Sequence, residues 1–196
     1  YKDLNGDGQV NWGSETTDDP GDLRVIGNST PRYQYGIRLG ANWKGVDLGV
    51  FFQGVGKREL WPSGPIFIPG FNEAEAWYEH QMDYWTPQRA DAFYPRPTNH
   101  DKNESNKNFF RQSRYLLDMS YLRLKNVTLG YTLPPAISRT AHIKSARVYV
   151  SGENLLTWDN MSVPIDPEID YTAEQTDRSA FGRVYPYRKE FSFGLQ

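Results

Sequence analysis

The sequence predicts an all-β fold of five antiparallel strands, each with one apolar and one polar face. Three observations support this prediction. Five stretches alternate apolar and polar residues with a period of two, as half-buried strands do. Aromatic residues make up 15% of the chain although only 38% of it is hydrophobic, a composition that suits strands better than helices. The connections between the stretches are alternately short and long along the whole chain.

The longest of these stretches, residues 119–134, reads MSYLRLKNVTLGYTLP. Its two halves alternate out of phase, because the apolar residues Leu124 and Val127 stand three positions apart. One extra residue near Lys125 and Asn126, a β-bulge, would return both apolar sets to the same face. The pattern therefore predicts a single strand of about 13 residues, longer than the usual five or six.

The remaining strands are predicted at residues 32–43, 46–56, 144–155 and 188–196. A Lys-Gly turn joins the first two as a β-hairpin, and residues 134–143 form a second short turn. The two long loops are residues 57–117 and 156–187. A short helix is predicted in the first of them at residues 73–86, because Asn72 can cap its start and Pro87 ends it.

Residues 1–31 are predicted to form a loop, in which the segment DLNGDGQVN has the spacing of a calcium loop. The oxygen ligands would be Asp3, Asn5, Asp7 and the backbone carbonyl of Gln9, with glycine at the sixth position for the sharp turn. The twelfth position is a serine, where an EF-hand has a bidentate glutamate. The residue that completes the site would be Asp18, Asp19 or Asp22. A solvated turn without metal is the alternative.

Several classes of function find no support in the sequence. The net charge of −2 gives no electrostatic reason to expect nucleic acid as a partner, and the absence of cysteine excludes disulfides and thiolate chemistry. No GxSxG, HExxH or phosphate-binding glycine motif occurs, and the three histidines are scattered. Carboxylate pairs such as Asp166 and Glu168 could serve a glycosidase, but such pairs arise by chance among 24 acidic residues. No catalytic residue is assigned, and we do not expect an enzyme.

The alternation of short and long connections is typical of outer-membrane barrels, which have short periplasmic turns and long extracellular loops. No apolar run reaches the roughly 18 residues of a transmembrane helix. In a barrel the apolar strand faces would contact lipid. Tyr33 and Tyr35 would then lie at the outer interface and Trp43 at the inner one, while Tyr121 and Tyr131 would bracket the apolar band of the central strand.

Five segments resemble the C-terminal part of SusC-like TonB-dependent transporters and occur in that family's order. They are DLRVIGNSTPRYQYG (22–36), YWTPQRADAFYPRP (84–97), SYLRLKNVTLGYTLP (120–134), VYVSGENLLTW (148–158) and IDPE (165–168). The resemblance implies that residues 32–196 are the last five strands of a transmembrane β-barrel of about 22 strands, with residues 1–31 as an extracellular loop. Other parts of the same polypeptide would supply the remaining strands, the plug and the contact with TonB, because open sheet edges do not occur in lipid.

The resemblance also implies energy-coupled uptake of an oligosaccharide or peptide across a bacterial outer membrane, with a SusD-like surface lipoprotein as a lid. Candidate contacts with ligand or lid are Trp61, Trp77, Trp85 and Trp158. The alternative is a soluble, calcium-stapled β-sandwich that binds carbohydrate, in which the apolar strand faces would pack against a second sheet. A sandwich does not explain why every second connection is long.

Overall fold

The computed structural model describes residues 1–71, 76–98, 108–140, 142–171 and 181–196 of the chain. The strands are β1 (Tyr33–Trp43), β2 (Val46–Gly56), β3 (Glu59–Leu60), β4 (Leu117–Asp118), β5 (Tyr121–Thr132), β6 (Arg147–Asp159) and β7 (Glu190–Leu195). A short helix, α1 (Pro135–Thr140), follows β5, and one turn of 3₁₀ helix covers Glu79–Met82.

Five of these strands form one antiparallel sheet in the order β1-β2-β5-β6-β7. Neighbours in this sheet are joined alternately by short and long connections, so the predicted arrangement is confirmed. The small β3–β4 ribbon lies beyond β2 and β5, where the first long loop leaves the sheet. Strand β6 runs to Asp159, four residues further than predicted, because Asp159 pairs with Tyr121 at the start of β5.

The predicted β-bulge in the central strand is confirmed. Along the ladder with β2, Phe51 pairs with Asn126 and Phe52 pairs with Leu124, which leaves Lys125 as the extra residue. The ladder with β6 shifts register at the same place. Because the shift changes the phase of the alternation, Leu124 and Val127 lie on the same face of the sheet.

The predicted helix at residues 73–86 is wrong where the structure describes it; residues 72–75, which include the expected cap, lie outside the described ranges. Only the single 3₁₀ turn forms in this region. After that turn the backbone pairs with a later segment: Tyr94 donates its N–H to the Asp83 carbonyl, and Trp85 donates its N–H to the Tyr94 carbonyl, both at 2.9 Å. These tertiary hydrogen bonds take the place of helical ones.

The buried core lies in the two long loops rather than on the five-stranded sheet. Its members are Leu60, Phe67, Tyr94, Tyr115, Leu117, Met119, Val163, Ile165, Tyr171 and Phe181. Phe67 is at its centre, with ring centroids of Tyr94, Phe109 and Tyr115 at 5.5–6.1 Å. The two long loops thus fold together into one unit at one end of the sheet, which we call the loop core.

No described residues form a second layer on the face of the sheet that carries the apolar side chains. In the described ranges the other sheet is only the β3–β4 ribbon, so the β-sandwich alternative lacks its second sheet. Side chains that a sandwich would bury are exposed on this chain, for example Ile37 at 50% and Phe193 at 89%. None of the helices in the described ranges is long and apolar enough to cross a membrane.

Candidate functional site on the polar face

The two faces of the five-stranded sheet differ in chemistry along the full width of the sheet. One row on the apolar face consists of Ala41, Leu48, Leu129, Val150 and Phe193. The row next to it on the opposite, polar face consists of Gly40, Gly49, Thr128, Ser151 and Ser192. A sheet of this kind suits a position between an apolar environment on one side and a polar environment on the other.

The position of Tyr121 differs from the prediction. Tyr131 lies on the apolar face opposite Val46, as expected, but Tyr121 pairs with Val55 and lies on the polar face, where it is only 4% exposed. Because Leu122 belongs to the apolar face, the residue before it must point the other way. Tyr121 is therefore not one of the residues that bracket the apolar band.

A buried ionic cluster joins the polar face to the loop between β6 and β7. Arg123 places Nη2 at 2.6 Å from Asp166 Oδ1 and Nη1 at 2.7 Å from Glu168 Oε2, and its Nε donates to Thr157 Oγ1 at 2.9 Å. Lys125 Nζ lies 2.9 Å from Glu168 Oε1. The side chains of Arg123 and Asp166 are 4% and 5% exposed, so each charge depends on its partner for solvation.

The β-bulge and Tyr187 complete this cluster. Arg123 and the bulged Lys125 both reach Glu168, while the bulge restores the apolar alternation after them. The ring of Tyr187 lies under both cations, with Arg123 Cζ at 5.4 Å and Lys125 Nζ at 4.5 Å from its centroid. The backbone N–H of Tyr187 donates to Asp166 Oδ2 at 3.1 Å. The cluster thus holds two distant parts of one loop against strand β5.

A cavity of about 540 Å³ adjoins the cluster, between the polar face and the loops. The groups that give it its chemistry are Gln34, Phe51, Gln53, Tyr121, Glu168 and Tyr187. The Arg58 side chain at its edge is neutralised by Asp170 at 2.9 Å and also donates to the Ser29 carbonyl at 3.2 Å. Carboxamides and aromatic rings in a concave site suit a polar ligand such as a sugar or a peptide.

A second ion pair lies at the opposite end of the polar face. Arg147 on β6 places Nε at 2.9 Å and Nη2 at 2.6 Å from the two carboxylate oxygens of Asp47 on β2. These two strands are not neighbours, and the pair crosses over Gly130 of the strand between them. A Cβ atom at Gly130 would come closer than 3.0 Å to both side chains. A side chain at this position would therefore displace the ends of the two charged side chains.

The four candidate tryptophans do not lie together. Trp61 packs against the loop core, with its ring edge-on to Phe67 at 6.2 Å, and Trp77 is perpendicular to Tyr84 at 6.0 Å. Trp85 is 37% exposed. Trp158 lies on the apolar face of the sheet, 50% exposed, with Phe52 as its ring neighbour at 6.5 Å. The structure therefore brings the first three into the loops and places Trp158 apart from them.

The predicted calcium loop is closed by its own side chains. Asp3 accepts the N–H groups of Gly6 at 2.6 Å and Gly8 at 2.9 Å, and Asp7 accepts that of Gln9 at 2.7 Å. Asn5 likewise accepts the N–H of Asp7 at 3.0 Å. These are the hydrogen bonds of a tight Asx-type turn, and each of the accepting oxygens keeps a second lone pair.

Of the three aspartates that might complete this loop, Asp22 is the one that reaches it. Its carboxylate accepts the N–H groups of Leu4 and Asn11, and these bonds hold the pKa of Asp22 below its ordinary value. Asp19 instead accepts from Ser14. Among the described residues, no group of three or more His, Cys, Asp or Glu side chains is placed to hold a metal ion. A cation would depend on amide and carbonyl oxygens as well.

Sequence reasoning missed the ionic cluster, although its parts were visible. The cations of the RLK segment and the acids of the IDPE segment stand 43 residues apart. Two cations close together on the polar side of one strand are the signal of such a site in the sequence. This signal does not tell which acid in the chain is the partner.

Comparison with known proteins gives relatives for the whole chain. The chain is 30% identical over its full length to TonB-dependent receptor P3 of Formosa agariphila and 31% identical to TonB-dependent receptor P26 of the same organism. It spans 18% and 19% of the lengths of these two proteins. No protein-family profile matches the sequence.

The fold is also similar to solved structures. A chain of the RagAB peptide importer in the closed-closed state matches 96% of this chain with a TM-score of 0.62 and 23% identity. The open-open state of that importer matches 92% of it with a TM-score of 0.59 and 22% identity. The chain covers 20% and 18% of those two structures.

Proposed function

Because the chain belongs to the family of TonB-dependent receptors, we propose that it forms five neighbouring strands in the barrel wall of a nutrient importer of the bacterial outer membrane. The two-sided sheet is the observation that carries this proposal. Its apolar face is exposed on this chain, while its polar face carries the ionic cluster and the cavity. A wall between lipid and an aqueous lumen needs this arrangement.

The rest of the barrel comes from the same polypeptide. In the described ranges neither β1 nor β7 has a second neighbour in the five-stranded sheet. An unpaired strand edge leaves backbone N–H and C=O groups without partners, which lipid does not tolerate. The chain spans about a fifth of the length of its curated relatives, so the remaining strands of a barrel of about 22 strands fit in the other four fifths.

The lengths of the connections support one orientation in the membrane. The loop core, built from both long loops, lies outside the cell, and the β1–β2 turn and the α1 connection lie in the periplasm. Tyr33 and Tyr35 then lie at the outer interface, and Trp43, which is 71% exposed, lies at the inner one. The cavity opens toward the outer part of the lumen, where a substrate enters, and the buried ionic cluster lies beside it.

The substrate is an oligosaccharide or a peptide, and the partner is a SusD-like lipoprotein that covers the extracellular side. The structural likeness to RagAB, a peptide importer, supports this type of assembly. Trp85, on the loop surface, is the tryptophan best placed for ligand or lid, and Trp61 and Trp77 support the loop that carries it. The plug and the contact with TonB belong to the rest of the polypeptide.

The calcium loop is part of this proposal as a structural staple of the extracellular segment 1–31. Asp3, Asn5, Asp7 and the Gln9 carbonyl would hold the ion beside Asp22. An ion at this position would add bonds to a loop that has no regular strand or helix.

Cysteine labelling on intact cells tests the orientation; this part of the transporter contributes no cysteine of its own, and the unsubstituted full-length transporter gives the background labelling. In the full-length transporter, Ser113→Cys lies in the first long loop and Ser145→Cys lies in the α1 connection, and both positions are exposed. A membrane-impermeant maleimide should label Ser113→Cys on intact cells and Ser145→Cys only after lysis. Labelling of Ser145→Cys on intact cells, or of both positions in a soluble protein fraction, contradicts the proposal.

A further inference from the structure

The charged side chains that line the cavity of about 540 Å³ on the polar face are paired within the chain. They are Arg58 and Glu168. Arg58 lies 2.9 Å from Asp170. Glu168 accepts from Arg123 at 2.7 Å and from Lys125 at 2.9 Å. A charged group of a ligand would displace one of these partners or stay unpaired in a partly buried place, and both cost free energy. The cavity therefore favours an uncharged ligand.

Tyr187 gives this cavity an accessible aromatic ring. It lines the cavity and is 52% exposed, although Arg123 and Lys125 lie over its ring. Its backbone N–H donates to the Asp166 carboxylate at 3.1 Å, which holds the residue in place. Phe51 adds a second, half-buried ring to the wall. Rings held in this way present flat apolar surfaces on which another ring can pack.

Two carboxamides on neighbouring strands line the same cavity. Gln34 belongs to β1 and Gln53 to β2, the next strand of the sheet. Gln34 is exposed, and its side chain forms no hydrogen bond with the described residues. A carboxamide carries two N–H donors and an acceptor oxygen. It can therefore bond to hydroxyl groups, which both donate and accept.

The strands under the cavity have no free edge. β2 is paired with β1 and β5, and β5 is paired with β2 and β6. The backbone N–H and C=O groups of these two strands are therefore used within the sheet. An extended peptide commonly binds by adding a strand to a free edge, and β2 and β5 offer none. A sugar needs no such edge, because its hydroxyl groups bond to side chains.

From these observations we propose that the cavity is a subsite for an uncharged pyranose residue of an oligosaccharide. The C–H face of the sugar ring packs on Tyr187, and the sugar hydroxyls bond to Gln34 and Gln53. The volume of about 540 Å³ lies within the range of roughly 300–1,000 Å³ that ligand sites have. The inference rests on the proposed function, because it chooses between the two substrate classes of the importer and assigns residues to one of them.

Titration calorimetry on the full-length transporter, purified from outer membranes in detergent, tests the class of ligand. The probes are neutral oligomers of glucose, galactose, mannose and xylose, a galacturonate oligomer, and one neutral and one charged peptide. At least one neutral oligosaccharide should bind, and more tightly than either peptide. It should also bind about tenfold more tightly than the galacturonate oligomer, since an unpaired charge in a partly buried site costs about that factor.

Substitution of Tyr187 tests the ring. Tyr187→Leu removes the ring and keeps the backbone bond to Asp166, so it should weaken binding of the neutral oligosaccharide by up to about tenfold. Tyr187→Phe keeps the ring and should bind as the wild type does.

Substitution of Gln34 tests the polar contact without touching the ionic cluster. Gln34→Ala should weaken binding of the neutral oligosaccharide about fivefold and leave the melting temperature unchanged, because this side chain is exposed and forms no hydrogen bond with the described residues. Asn42→Ala is the matched control. Asn42 is exposed on the polar side of the same strand and does not line the cavity, so its substitution should change nothing.

Three outcomes overturn the subsite. The first is that no neutral oligosaccharide binds. The second is tighter binding of the galacturonate oligomer or of a peptide than of every neutral oligosaccharide. The third is a neutral oligosaccharide that Tyr187→Leu and Gln34→Ala both bind as tightly as the wild type does. All three leave the barrel assignment standing, because cysteine labelling tests that assignment independently.

Discussion

Replacing Arg123 by methionine should be the most damaging single change on the polar face. The side chain is 4% exposed and pairs with Asp166, which is 5% exposed, and with Glu168, which is 12% exposed. Methionine keeps much of the volume but, among the described residues, leaves Asp166 without a cation, since Lys125 pairs with Glu168. Removing one partner of a buried ion pair costs about 3–5 kcal/mol. We expect a loss of this size in the free energy of unfolding.

Urea unfolding of the full-length transporter in lipid vesicles, followed by tryptophan fluorescence, measures this loss. The matched control is Arg89→Met, whose ion pair with Asp83 has both side chains about half exposed, at 57% and 44%. Exposed pairs contribute about 0–1 kcal/mol. The two arginines both pair with a carboxylate but differ greatly in burial. Arg123→Met should therefore lower the free energy of unfolding much more than Arg89→Met does.

A double variant separates the loss of a contact from the exposure of a charge. Arg123→Met together with Asp166→Leu removes both buried charges, so it should recover part of the stability that Arg123→Met loses. If Arg123→Met costs no more than Arg89→Met, the cluster does not hold the loop to the wall. If the double variant loses more free energy of unfolding than the two single variants lose together, the reasoning about unpaired charge is wrong.

Three further predictions concern the faces of the wall, the second ion pair and the metal. Ile37→Arg, on the apolar face, should cost roughly 2–4 kcal/mol of unfolding free energy in lipid vesicles, and Arg38→Ile on the polar face far less; equal costs would contradict the assignment of the faces. Gly130→Ala should cost about 1 kcal/mol in the same assay by displacing the ion pair above it, whereas Gly49→Ala, with nothing within 4 Å of the added Cβ, should be neutral; a neutral Gly130→Ala would show that the ion pair adapts freely. Calorimetry of the metal-free transporter should detect calcium binding that Asp3→Ala abolishes, and binding unaffected by that change would place the ion elsewhere.

The wall strands could be predicted from the sequence because their side chains obey a period of two. Strand β2 has the predicted bounds, and the phase slip between Leu124 and Val127 located the bulge at Lys125. The prediction for Tyr121 is wrong because it was based only on the aromatic side chain. Leu122 lies on the apolar face, so the period of two places its neighbour Tyr121 on the polar face.

The loops could not be predicted to the same extent, since long-range contacts determine them. The helix expected at residues 73–86 is displaced by backbone pairing of Asp83 and Trp85 with Tyr94. The partners of Arg123 come from a loop that follows the next strand, and a single sequence does not show which acid returns to it. The α1 helix lies in a segment predicted to be a turn, because six residues are too few for a helical period to be seen.

The composition of the loop core has a consequence for the assembly of the protein. Because its residues come from both long loops, it can form only after the segments around Phe67 and Phe181 have both been carried to the outer side of the membrane. Until then, nothing in this unit holds the four strands that flank the two long loops across the membrane. Once the aromatic side chains have packed, a folded unit wider than a single chain lies on the far side of the bilayer. We therefore expect folding of the loop core to make insertion of these strands irreversible.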